Sequence, residues 1–509
     1  LAIYDVKTAA ELTTALGRTV GGDTIRLASG NYGLVNLANR VYASTVTITS
    51  ASATAPAHFD GLTVSGSKNL AFSALDLGRG LGATEPEYTK LNTVQMSENV
   101  SFSNVSIHGS LDGDVTNDGI GLYVTDSKNV AVTGATFTEN FRGLLVQRAD
   151  GFTIGESRFD KIRSDGANFA ASDRVTVRAN TFTDFNRYGT DHADAIQFWN
   201  TGQTKGATDI LIQNNVFIQT AAGKGAQGIF MYDLTDYKFT NVVIENNLMY
   251  GNDDWNGIVV NNGQNVRIAN NTVLSSLLDP KQFWISVEKS DSVIVEKNVT
   301  DNFQISADVT NLSFADNISL AATPLFRSQF TNLETPSAPS DLMVSDWGFQ
   351  GLSAILPAPA PAPAPTGPTL IQGTAGSDTL QGTTFSDKMI GVAATEMDLG
   401  KGTADKMWGK SGTDIFVLGD QRGTFYNDGA NRSAGKSDYA QIMDFGTGDK
   451  IQLHGSLDQY LFVNGQVNKQ AGVQIFLDTN GNHLFDSRDE LIGHVVGVQS
   501  LGPDSFTFG

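Results

Sequence analysis

From residue 129 onward the chain repeats one pattern of apolar and polar positions. It reads NVAVTGATF from Asn129, RVTVRANTF from Arg174, DILIQNNVF from Asp209, NVVIENNLM from Asn241, NVRIANNTV from Asn265 and SVIVEKNVT from Ser292. Apolar residues at alternate positions predict a half-buried strand in each copy. An asparagine returns at one offset, as Asn180, Asn215, Asn247, Asn271, Asn298 and Asn317. Side chains stacked in this way can bond to one another and to turn backbone, which predicts an asparagine ladder. Each repeat carries a second strand that opens on a polar residue and usually a glycine: Asp118-Gly, Arg142-Gly, Asp165-Gly, Asp194-Ala, Gln227-Gly and Asn256-Gly. Strands in series with variable turns and no intervening helix predict an all-β right-handed parallel β-helix over 1–345. Near the start, residues 9–16 predict a short helix that caps the open end of the stack.

The pattern changes after LPAPAPAPAPTGP. Alternating Pro and Ala predict an extended spacer, so 346–368 reads as a linker and 369–509 as a separate small β-roll or β-sandwich-like domain. Glycines at 373, 382, 391, 400 and 409 are each followed five positions on by an acid: Asp378, Asp387, Glu396, Asp405 and Asp414. This resembles the nonapeptide β-roll repeat of RTX proteins exported by type I secretion. The resemblance implies structural calcium on Asp378, Asp387, Asp405 and Asp414, although the second glycine of the motif is replaced throughout. Farther on, DTNGNHLFDSRDE places Asp478, Asn480, Asn482, Asp486 and Asp489 like an oxygen-rich calcium loop, with His483 where a tight-turn glycine is usual.

Composition narrows the chemistry. The chain of 509 residues has a net charge of −20, which disfavours nucleic acid and anionic membranes as partners. It has no cysteine, which excludes disulfides, thiolate metal sites and a cysteine nucleophile. No apolar run is long enough to span a membrane. The opening LAIYD lacks Met and a signal-like segment, so either a leader was removed or the export signal lies elsewhere. A secreted, extracellular monomer is the expectation.

Stacked coils offer side chains at a rise of about 4.8 Å, a spacing suited to a polymer. The densest polar cluster falls on three successive coils: Lys161, Arg163, Asp165 and Asn168; then Arg187, Tyr188, Asp191, His192, Asp194, Gln197 and Trp199; then Lys224, Gln227 and Tyr232. Lys161, Arg163, Arg187, Asn168, Gln197, Trp199, Gln227 and Tyr232 are candidates for binding an acidic polysaccharide. Tyr188, His192, Lys224, Asp194, Asp165 and Asp191 are candidates for catalysis.

Two chemistries fit these residues. β-Elimination on a uronic-acid polymer needs a cation at the carboxylate, a base for the C5 proton and an acid for the leaving oxygen. Arg187, Arg163 or Lys161 can serve as the cation, with Tyr188, His192 and Lys224 as base and acid. Inverting hydrolysis needs two separated carboxyl groups, for which Asp165 and Asp194, with Asp191 close by, stand ready. A non-catalytic adhesin is the third expectation.

YGTDH resembles the Tyr-Gly-x-Asp-Pro-His motif of secreted mannuronan C5-epimerases, which are also β-helices followed by calcium-binding rolls. Here the Pro is absent, and Trp255 stands near the position of a family Arg. SDGANF and DHADAI resemble strands of polygalacturonase-like hydrolases, but Gln227 and Asn256 replace the His and basic pair of that family. The wider resemblance is to β-helix polysaccharide lyases, and a lyase acting on an alginate-like or bacterial exopolysaccharide is the leading expectation.

Overall fold

The structure is a computed structural model that describes residues 1–219, 225–251, 256–276, 282–351, 369–382, 386–395, 397–410, 412–429 and 435–509. The chain divides into two compact units, Leu1–Ile355 and Leu356–Gly509.

The first unit is an all-β, right-handed parallel β-helix built on three long sheets of 13, 11 and 12 strands. Each repeat read from the sequence runs through two of them. In RVTVRANTF, Val175 and Val177 of the strand Asp173–Arg178 point into the core with no exposed surface. The following coils place Ile210, Val242, Val266 and Val293 in register above Val175. Alternation therefore sets the face, and register stacks like on like.

The turn after this strand explains the recurring asparagine. Ala179, Asn214, Asn246, Asn270, Lys297 and Asp316, each just ahead of a ladder residue, all adopt positive φ between 52° and 59°. Asn and Asp tolerate that left-handed conformation better than most residues. The ladder side chains then join successive coils. The Oδ1 of Asn215 accepts from both the backbone N–H and the Nδ2 of Asn180, each at 3.0 Å. The same double contact links Asn215 to Asn247, Asn247 to Asn271, Asn271 to Asn298 and Asn298 to Asn317. Beside the ladder, Phe137, Phe159, Phe182 and Phe217 stack with ring centroids 4.5, 4.6 and 4.9 Å apart.

The capping helix is Ala9–Leu16. Thr8 accepts the Glu11 N–H, Glu11 accepts the Lys7 N–H, and Leu12, Ala15 and Leu16 bury against the first coil. At the other end, residues 348–351 dock back on the first unit. Phe349 is fully buried with its N–H on Thr272 Oγ1, and Gln350 donates its N–H to Asn246 Oδ1. The Pro/Ala stretch, 356–368, lies outside the described residues.

The second unit alternates short strands between two sheets of five and six strands. Strict nine-residue spacing leads one to expect every strand to pair two repeats ahead, and Thr369 does so with Asp387. Farther on, Thr379 pairs with Lys406 and Lys388 with Ile415, three repeats ahead. The extra repeat turns out of the sheets, and Tyr426 closes over it, with its N–H on Leu399 O and its hydroxyl 2.6 Å from Asp405 Oδ2. Among the described residues, no helix is long and apolar enough to cross a membrane.

Candidate active site

The site candidates lie on the 11-stranded sheet. Ala167–Ala170, Asp194–Trp199, Gln227–Met231 and Asn256–Asn261 are adjacent there. Asn168 pairs with Gln197 and Gln197 with Phe230, while Trp199 lies opposite Ala170. Ile196 and Phe198 face the core, so Gln197 and Trp199 face outward. The polar column is continuous from Asp194 to Gln227. Asp118 stands two residues out of it, because Ile120 is the partner of Arg142. Glycine follows the column where coils approach closely: a Cβ on Gly166 would lie 2.6 Å from the Ala195 carbonyl oxygen and 3.0 Å from the Phe182 ring.

Asp165 and Asp194 are buried at 2% and 0% exposure. Asp165 Oδ1 accepts the Asp194 N–H at 3.1 Å, and its Oδ2 lies 3.1 Å from Arg142 Nε and 3.2 Å from Asn168 Nδ2. Burial raises its pKa against the pull of Arg142. Asp194 Oδ2 accepts from Gln197 Nε2 at 2.7 Å and lies 3.3 Å from His192 Nδ1. Burial, and then the neighbouring Asp165 charge, push Asp194 up to about 7, although the His192 contact opposes the shift. Two acids on consecutive coils thus share a dry environment and titrate as a pair.

His192 is the exposed partner of this buried acid, with 56% of its side chain in solvent. Its ring lies 5.6 Å from that of Phe230, which in turn stacks on Tyr232 at 5.6 Å. A directional chain of hydrogen bonds fixes its tautomer. Trp284 Nε1 can only donate, and it does so to Asn256 Oδ1 at 2.9 Å. Asn256 Nδ2 therefore donates to Gln227 Oε1, and Gln227 Nε2 turns to His192 Nε2. His192 Nε2 is then an acceptor, and its proton sits on Nδ1, facing Asp194. The one lone pair of Nε2 is thereby engaged by Gln227, so His192 becomes a base only when that amide is displaced, with the Asp194 carboxyl group behind it to stabilise an imidazolium.

The remaining candidates surround this pair. Tyr188 is 52% exposed, and its carbonyl accepts the Asp191 N–H in a tight turn where Gly189 has φ +59°. Its ring lies over the Arg163 guanidinium at 5.2 Å. Arg163 is only 8% exposed; it bonds Asp191 Oδ2 at 2.8 Å and Glu87 Oε2 at 3.0 Å. Arg163 and Asp191 thus pin the loop that carries His192. Lys161 pairs with Glu139 at 3.5 Å. Arg187 is half-buried. Trp199 packs on the Ile120, Phe141 and Leu145 cluster beside Tyr123. Lys224, Trp255 and Glu396 lie outside the described residues. Trp284, the head of the chain of donors, gives no sequence signal, since WISVE reads as an ordinary strand.

In the second unit the repeat aspartates hold backbone. Asp405 Oδ1 accepts the Asp378 N–H at 2.7 Å, Asp414 Oδ1 that of Asp387 at 2.9 Å, and Asp378 Oδ2 that of Thr374 at 2.7 Å. Burial, then the charges of Asp449, Asp387 and Asp444, raise Asp414 to about 6. The later loop converges more tightly. Asn480 Nδ2 and Asn482 Nδ2 reach Asp486 Oδ2 at 3.2 and 3.4 Å, and His483 takes the left-handed turn at φ +55°. Asp486 Oδ2 also takes Arg488 Nη2 at 2.7 Å, whereas Asp489 is fully buried with Oδ1 unpartnered among the described residues, one oxygen that a cation would satisfy.

Residues 92–273 match the family described as right handed beta helix region. No curated protein matches the chain in sequence. Solved structures similar to it include an alginate lyase from Paenibacillus sp., at 15% identity and a TM-score of 0.33, covering 62% of this chain and 99% of that one. A GH136 lacto-N-biosidase from Eubacterium ramulus is 12% identical with a TM-score of 0.40, covering 62% and 67%. A surface adhesin of Streptococcus pneumoniae is 15% identical with a TM-score of 0.37, covering 61% and 87%.

Proposed function

We propose that this protein is a secreted, polysaccharide-active enzyme, a lyase that cleaves a uronic-acid-containing polymer by β-elimination. The observation that carries the reading is the His192–Asp194 pair: a solvent-exposed imidazole beside Phe230, backed by a buried acid. Substrate displaces the Gln227 amide from His192 Nε2, the C5–H bond breaks and its proton passes to that nitrogen. The electron pair forms the C4–C5 double bond, and the C4–O bond to the leaving sugar breaks as that oxygen takes a proton from an acid, for which Tyr188 is the nearest exposed phenol in sequence. Arg187 is the proposed partner of the uronate carboxylate, with Lys161 at the margin. On a chain of net charge −20, such local cations are what an anionic polymer requires.

Inverting hydrolysis by Asp165 and Asp194 is the second reading, favoured by the raised pKa of Asp194. Against it, exposures of 2% and 0% keep both carboxyl groups from a glycosidic oxygen. In the second unit we propose structural calcium on Asp478, Asn480, Asn482, Asp486 and Asp489. Export by a type I apparatus completes the proposal. The test is incubation with alginate, pectate, glucuronan and bacterial exopolysaccharides. An unsaturated, ultraviolet-absorbing uronate supports elimination. New reducing ends without that absorbance would replace it with hydrolysis, and altered sugar configuration at constant chain length would replace it with epimerisation.

A further inference from the structure

A second constellation lies on the third sheet of the solenoid, among the early coils. His58 on Ala57–Phe59, Asp76 on Asp76–Gly78 and His108 on Ser106–His108 belong to three consecutive strands, with His58 paired to Asp76 and His108 to Gly78. His58 Nδ1 is 2.8 Å from Asp76 Oδ2, and His108 Nε2 is 3.2 Å from Asp76 Oδ1. The two imidazoles lie nearly parallel, 22° apart, with centroids 5.9 Å from each other. One ligand atom from each of the three residues falls within 4.8 Å of the others.

The nitrogens facing away from the cluster decide what it can hold. His108 Nδ1 lies 2.8 Å from the carbonyl oxygen of Gly109, which can only accept, so Nδ1 carries a proton. His58 Nε2 lies 3.1 Å from Asp60 Oδ1, and Asp60 is itself steadied by Asn31 Nδ2 at 2.9 Å. Neutral His108 therefore presents the lone pair of Nε2 to Asp76; His58 lies between two carboxylates, and with its proton on Nε2, toward Asp60, it presents the lone pair of Nδ1 as well. Two lone pairs and a carboxylate converge, and such a set is satisfied by a cation. Imidazoles whose outer N–H is fixed by a carboxylate or a backbone carbonyl are the usual arrangement around protein-bound metals. Two nitrogens and one carboxylate suit a borderline divalent ion of the zinc class, whereas calcium asks for six to eight oxygens. The side chains of His58 and Asp76 are 25% and 28% exposed, which leaves an entry path, while His108 is 8% exposed.

We propose that His58, Asp76 and His108 form a zinc-class metal site that ties three coils of the β-helix together, with Asp60 and the Gly109 carbonyl as its outer supports. A metal on three strands stabilises the stacked state over the unfolded one.

The full chain, stripped with a chelator, is titrated with Zn2+ by calorimetry, with Ca2+ as a control. The expected result is one saturable Zn2+ equivalent that His58→Gln or His108→Gln weakens by at least about tenfold, with a rise in Tm on Zn2+ addition that the same variants lose. Asp60→Asn keeps all three ligands and is expected to weaken binding about 10- to 100-fold. It carries the test if a histidine variant folds poorly in chelator. His192→Gln is expected to bind Zn2+ as the parent does. Absence of a saturable equivalent, or Zn2+ affinity unchanged in Asp60→Asn and the His58 and His108 variants, overturns the proposal.

Discussion

Asp194 has no exposed surface, yet its Oδ2 reaches within 3.3 Å of the Nδ1 of His192, whose side chain is more than half in solvent. The pair joins a dry acid to a wet base across the start of a strand. Replacing His192 with Gln keeps the size and polarity of the side chain but removes the base. Turnover on the responsive polymer is expected to fall about 10²- to 10⁴-fold with the melting temperature unchanged, read as ultraviolet absorbance of unsaturated product. Wild-type rates in this variant would remove His192 from the mechanism.

The raised pKa of Asp194 gives stability a direction with pH. An acid that holds its proton more tightly when folded stabilises the protein below its unfolded pKa, and that contribution is lost as pH climbs through the folded value. The melting temperature is therefore expected to fall between about pH 4 and pH 7, with Asp165 acting in the same sense. Asp194→Asn should flatten this decline. Activity should run the other way, rising through about pH 7 as ionised Asp194 comes to support an imidazolium. Parallel scans of Tm and kcat/KM against pH check both halves; a steep decline retained in Asp194→Asn would place its cause elsewhere.

Trp284 orients the amides that fix His192. Trp284→Phe keeps a ring but removes the sole donor of the indole, at a cost of about 1 kcal/mol, or roughly fivefold in rate if the imidazole is then able to rotate. The expected signature is a lower kcat with a shifted pH–rate profile. A change in KM alone would point to substrate contact.

Asn247 sits at the centre of the ladder, fully buried, with contacts to Asn215, Asn271 and the Ile212 carbonyl. Asn247→Ala removes several buried bonds at about 1 kcal/mol each and strands their partners, so a loss of about 3 kcal/mol or more is expected in chemical denaturation. A loss under 1 kcal/mol would show that the ladder contributes register rather than stability.

Calcium is expected to raise the melting temperature of the full chain, and Asp489→Asn to abolish that rise, because Asp489 brings a buried oxygen with no described partner. Identical melting in calcium and in chelator would sink this proposal.

The solenoid was legible because its signals are local. Alternation sets each strand's face, an asparagine returns at one offset after it, and the short helix at 9–16 falls where a cap is needed. Relationships that depend on how much chain lies between coils were less legible. Asp118 falls two residues from the register of Arg142, and the bond from Trp284 to Asn256 spans 28 residues and a variable loop. The roll shows the same limit: a strict glycine period cannot reveal that one repeat is folded out beneath Tyr426. The metal-like triad of His58, Asp76 and His108 was equally hidden, since its members come from three short strands with no motif in common.

The ladder also has a polarity. Each ladder asparagine sends its backbone N–H and a side-chain N–H to the side-chain oxygen of the later coil, while its amide also donates back to a carbonyl of the earlier coil. A growing chain emerging amino end first would therefore finish each turn with two donors waiting for the next asparagine to be made. A chain that ended within the ladder would keep those two donors without their asparagine partner at its last turn.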